Sequence, residues 1–87
     1  MSALVKAEVR TEDRLSQTVA QVLGLTPDAF GEESSPDSIS SWDSLGHLNL
    51  VIAIEEEFDV RLSSEDVLAM RSIAAIRRIL HHAGVEI

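Results

Sequence analysis

The richest run of apolar positions lies between residues 44 and 58, and it does not follow a single stripe. At roughly 100° per residue, Leu50, Val51, Ile54 and Phe58 share one arc, as expected of a helix with a core-facing side. Leu45, Leu48 and Ile52 fall on nearly the opposite side, flanked by Glu55 and Glu56, with Asn49 beyond Glu56. The pattern predicts a helix over 44–58 with two apolar faces. The second face has two readings: packing under a neighbouring loop or helix, or an apolar strip rimmed by carboxylates for a basic partner groove.

Shorter elements surround this helix. Thr11 offers a cap and Glu12 and Asp13 suit a first turn, while Leu15, Val19, Val22 and Leu23 recur at helical spacing until Gly24. Residues 1–10, with Leu4, Val5 and Val9 loosely spaced, read either as an extension of that helix or as a frayed end. Thr26-Pro27 starts at most one turn, reaching Phe30 before Gly31. Residues 31–43 form a long loop with serine at 34, 35, 38, 40 and 41, and Ile39 and Trp42 are expected to pin it to the body.

Beyond residue 58, Phe58, Val60 and Leu62 alternate with Asp59, Arg61 and Ser63. With no partner strand in sight, an extended connector is expected. Ser63 and Ser64 ahead of Glu65-Asp66 open a short helix carrying Val67, Leu68 and Met70. Ser72 caps a last helix whose stripe is Ile73, Ile76, Ile79, Leu80 and Ala83, with Arg77 and Arg78 facing solvent and Gly84 as the stop. Three longer helices and one short one, in 87 residues, predict an all-α fold: a small antiparallel bundle forming one domain over 1–87.

Composition narrows the class. With 45% hydrophobic but 3% aromatic residues, the core is aliphatic and compliant, and a chain this short buries only about 60–65% of its unfolded surface. A core of that kind could admit a hydrocarbon chain, at about 0.8 kcal/mol per CH2 buried. There is no cysteine, which excludes disulfides and thiolate metal sites and is compatible with a cytoplasmic location. No apolar run approaches the roughly 18 residues of a membrane span, so no stable membrane insertion is expected. A net charge of −8, from 7 basic and 15 acidic residues, argues against nucleic-acid partners and favours basic protein surfaces.

The candidate chemistry centres on Asp43-Ser44-Leu45, where the serine loop meets the two-faced helix. Free backbone N–H groups and the positive end of the helix dipole favour a phosphate there. As a purely local feature, Ser44 could equally be an ordinary cap worth about 1 kcal/mol. Ser44 and His47 have the spacing of a nucleophile and its base, but no oriented acid or oxyanion partner follows, and His47 falls on the core side of the wheel. His81 and His82 are adjacent and diverge on a helix, and Glu55, Glu56, Glu57 and Asp59 match no calcium loop, so neither a catalytic residue nor a metal is expected.

The segment Trp42-Asp43-Ser44-Leu45-Gly46-His47-Leu48, followed by Glu55-Glu56-Glu57-Phe58-Asp59-Val60, closely resembles the acyl carrier proteins, and the resemblance runs from about Leu15 to Ala83. It implies that Ser44, framed by Asp43 and Leu45, receives 4'-phosphopantetheine from coenzyme A. The base and metal for that step belong to a phosphopantetheinyl transferase. It also implies a non-enzymatic, monomeric, stand-alone carrier of acyl thioesters serving acyl-loading, condensing or acyl-transfer enzymes with basic docking surfaces. The expected docking residues are Leu45, Leu48, Ile52, Glu55 and Glu56.

Carriers of fatty-acid synthases commonly place acidic residues just after the serine and small residues before the Asp. Here Gly46, His47 and Asn49 follow, and Ser41 and Trp42 precede. The departure sets a specialised pathway, in polyketide, modified-lipid, capsule or other secondary metabolism, beside a fatty-acid-like one. An aminoacyl or peptidyl carrier, and a helical interaction module without a prosthetic group, stand as alternatives.

Overall fold

The computed structural model describes residues 11–85, and the expectation for residues 1–10 falls outside them. Helix α1 covers Thr11–Leu23, α2 Ser44–Phe58, α3 Ser64–Ala69 and α4 Ile73–His82, with a single 3-10 turn at Pro27–Ala29. Thr11 is thus part of α1 rather than a flanking cap. The described residues contain no strand, and 60–63 form the expected connector.

Side-chain chemistry sets the helix ends. Asp43 caps α2, accepting the Gly46 N–H at 2.8 Å. Ser63 and Asp66 form a reciprocal capping box on α3, and Ser72 caps α4 through the Ala75 N–H. α1 ends where Gly24 turns to φ +70° and lets the Leu25 N–H reach back to the Ala20 carbonyl at 2.8 Å. α2 ends in the same left-handed turn, made by Asp59 at φ +54°, with the Val60 N–H on the Glu55 carbonyl at 3.2 Å.

α1 and α2 pack antiparallel, as contacts at both ends establish. The Arg14 guanidinium, at the start of α1, lies 4.8 Å from the Phe58 ring centroid at the end of α2. It donates to the Glu57 carbonyl at 2.7 Å and to its carboxylate at 3.1 Å. At the other end, the Ser41 hydroxyl, just before α2, donates to the Leu23 carbonyl at 2.7 Å.

The core holds Leu15, Val19 and Leu23 from α1, the expected Leu50, Val51, Ile54 and Phe58 from α2, Met70 after α3, and Ile73, Ile76 and Leu80 from α4. Ile39 and Trp42 join it, so the serine loop is pinned as its sequence suggests. The loop is also ordered by its own hydroxyls: Ser34 and Ser38 accept the N–H groups of Gly31 and Ser35. Its carbonyls at Ser34 and Glu32 accept the N–H groups of Ile73 and Ala74, the first two of α4.

Two expectations for the last helix need correction, and the short helix adds a detail. Arg77 does not face solvent: it is half-buried and pairs with the Glu32 carboxylate, bringing α4 against the loop. Ala83 is exposed, because α4 ends at His82 and the chain turns away through Gly84. On α3 only Val67 packs against the core, while Leu68 is 75% exposed.

Candidate functional site

Ser44 is the first residue of α2 and is exposed. The first backbone bond of the helix joins the His47 N–H to the Asp43 carbonyl at 2.8 Å, so the N–H groups of Ser44 and Leu45 precede the hydrogen-bonded ladder. Asp43, not Ser44, is the cap, and the Ser44 hydroxyl has no hydrogen bond among the described residues. Its oxygen is therefore spare for chemistry.

Gly46 explains part of the unusual sequence after the serine. A Cβ at this position would lie 2.2 Å from the Ser41 carbonyl oxygen and 3.3 Å from both Asp43 Oδ1 and Leu23 Cδ2. Only glycine lets the loop cross the first turn of α2 this closely. The crossing delivers Asp43 to its capping position and Ser44 to the surface.

His47 has no part in activating Ser44. Its Nδ1 accepts the Trp42 indole N–H at 2.9 Å, and its Nε2 lies 2.9 Å from the Val67 carbonyl oxygen. The two rings stack at 17° with centroids 6.2 Å apart. An indole N–H only donates and a carbonyl only accepts, so one neutral tautomer, protonated on Nε2, serves both. Both ring nitrogens are thereby engaged.

Beside Ser44 opens a cleft of about 430 Å³, lined by Trp42, Asp43, Ser44 and His47 on one side and by Val67, Leu68, Met70 and Arg71 around α3, with Pro36 from the loop. The lining is mostly apolar, and Arg71 is its one basic residue. The spare hydroxyl, the helix N-terminus and this cleft together fit a phosphodiester-linked arm with a largely apolar stem.

The second face of α2 is open. Leu45, Leu48 and Ile52 are 66%, 55% and 47% exposed, so packing against a neighbour is not their role in this structure. Leu68 on α3 is a further exposed apolar residue, on the rim of the Ser44 cleft, and the sequence pattern gave no reason to separate it from Val67. Glu56 is exposed beside this face, whereas Glu55 is half-buried and accepts the Leu62 N–H at 2.8 Å, which gives it a structural task at the connector. Glu57 pairs with Arg14. No group of three or more metal-ligating side chains converges among the described residues, and none of their helices is long and apolar enough to cross a membrane.

Residues 13–80 match the family model described as the phosphopantetheine attachment site. The chain is 30% identical over 71 residues to an acyl carrier protein of Bdellovibrio bacteriovorus, covering 82% of this chain and 91% of that one. It is 38% identical over 68 residues to the polyketide synthase ThaG of Burkholderia thailandensis. That match covers 78% of this chain but only 1% of the synthase. The chain belongs to the phosphopantetheine-attachment family. Within it the chain is of the acyl carrier protein kind, with 4'-phosphopantetheine as its prosthetic group.

Proposed function

We propose that Ser44 is the attachment point and that the chain carries acyl intermediates of a polyketide-like or specialised lipid pathway. The observation that carries this reading is the separation of tasks at the start of α2: Asp43 closes the helix end while the neighbouring Ser44 hydroxyl stays exposed and has no hydrogen bond among the described residues. The first-turn N–H groups and the helix dipole favour the phosphate that would be joined to Ser44 Oγ. Trp42, Val67, Leu68 and Met70 offer apolar walls to the arm, and Arg71 a cation. When bound, the arm supplies a terminal thiol on which acyl groups are carried as thioesters. The likeness to a segment of ThaG supports polyketide-type cargo.

Docking falls to the open face of α2. Leu45, Leu48 and Ile52 form an apolar strip with Glu56 beside it. This suits a partner with an apolar groove and a basic rim, steered by the net charge of −8. The test is intact mass after incubation with coenzyme A and a permissive phosphopantetheinyl transferase. One phosphopantetheine should be added to the wild type and none to Ser44→Ala; any modification of the variant, or none of the wild type, overturns the assignment.

A further inference from the structure

The deepest residues of the Ser44 cleft are Trp42 and Met70, 2% and 1% exposed, and both belong to the hydrophobic core. Cargo tethered at this cleft would have to pass them to enter the bundle. That passage is fastened by the hydrogen-bonded chain from the Trp42 indole through His47 to the Val67 carbonyl, at 2.9 Å for each step. It ties three segments together: the end of the loop, the first turn of α2 and the body of α3.

The chain of bonds resists opening for a chemical reason. A hydrocarbon chain offers neither donor nor acceptor. Prising the indole from the imidazole therefore leaves a donor-only N–H and an imidazole nitrogen without partners in apolar surroundings, and the cargo replaces neither bond. The compliant aliphatic core that composition suggests thus lies behind a polar closure that composition does not reveal.

We infer that the Trp42–His47–Val67 chain shuts the attachment cleft against the core, so that this carrier holds its cargo in the open cleft and is suited to short or polar acyl groups. The inference rests on Ser44 as the point of attachment. The cleft offers such groups what the core cannot: exposed Leu68 for a short aliphatic portion, and Arg71 for a carboxylate, hydroxyl or carbonyl oxygen.

The test uses the full chain loaded from acetyl, butyryl, octanoyl and dodecanoyl coenzyme A. Loading is verified by intact mass, and each form is followed by thermal melting and by the methyl resonances of Leu50, Ile54 and Ile76. The wild type should melt at one temperature across the series, with unchanged core methyl resonances. His47→Gln, which keeps one acceptor and one donor, should behave likewise. His47→Leu and Trp42→Phe, which remove the acceptor or the donor, should melt at temperatures that climb with chain length and show shifted core methyls. Two variants keep the comparison informative if one folds poorly.

A wild-type melting temperature that rises with chain length overturns the inference, as does a flat series in both opened variants. No mass gain on the wild type overturns the attachment reading and this inference together. A loaded wild type with length-dependent melting overturns this inference alone.

Discussion

The carbonyl oxygen of Ser41 occupies the space that a side chain on Gly46 would need, 2.2 Å from the position of its Cβ. Alanine in a helix interior is ordinarily better than glycine by about 1 kcal/mol. Here the crowding atom is backbone, so the loop itself would have to move. Gly46→Ala is expected to destabilise the fold by about 1–3 kcal/mol in denaturant unfolding, and to slow loading by the transferase because Asp43 and Ser44 move with the loop. A gain in stability would show that the loop yields freely.

Asp43 and Ser44 should separate cleanly. Asp43→Ala removes the side chain that satisfies the Gly46 N–H and is expected to cost about 1 kcal/mol of stability. Ser44→Ala removes an exposed hydroxyl that is unbonded among the described residues and should leave stability within about 0.5 kcal/mol. Urea melts of the two variants side by side check both. An equal loss at Ser44 would return that serine to a capping role.

The exposed face of α2 makes a prediction of opposite sign for folding and binding. Leu45→Ala and Ile52→Ala should change stability by less than about 1 kcal/mol, well short of the 2–5 kcal/mol of a core truncation, while weakening the complex with the transferase. Glu56→Lys should slow association and flatten its salt dependence, with stability within about 0.5 kcal/mol. Melting curves with surface-binding kinetics on each variant distinguish docking residues from core. Unchanged kinetics in all three would move the docking face elsewhere.

Arg14 fastens α1 to the end of α2 by more than an ion pair. Its guanidinium and the Glu57 carboxylate are 44% and 46% exposed, so their attraction is screened and counts for little. The stacking on Phe58 and the bond to the Glu57 carbonyl are the larger part. Arg14→Ala should lower stability by about 1–2 kcal/mol, and the loss should persist in high salt. A deficit that vanishes with added salt would assign the contribution to the ion pair instead.

What could be read from the sequence follows the range of the interactions. The bounds of α2 and its four core residues were legible because apolar spacing acts within a few residues, whereas the caps that fix its ends, Asp43 and Asp59, emerge only from the backbone geometry. The exposure of Leu45, Leu48 and Ile52 was half-legible: periodicity placed them opposite the core, but not what covered them. Arg77 was misread because its partner Glu32 lies in a loop with no periodic pattern. Glu55 looked like a rim carboxylate because its acceptor role depends on where the connector brings the Leu62 N–H. The Trp42–His47 bond was invisible for a similar reason, since it crosses from an irregular loop onto a helix and no spacing rule governs that step. The glycine requirement at position 46 likewise depends on a loop crossing.

The carbonyls of Glu32 and Ser34 are taken up by the opening N–H groups of α4, which leaves the ribosome after the loop and α2. Until that helix exists, the serine loop lacks these two anchors, and the surroundings of Ser44 are incomplete even though α2 has already been made. Recognition by a modifying enzyme that reads the folded loop would therefore wait until α4 has been made and has docked. The same two backbone bonds that shape the loop would then serve as a checkpoint, keeping the prosthetic group off chains that still lack α4.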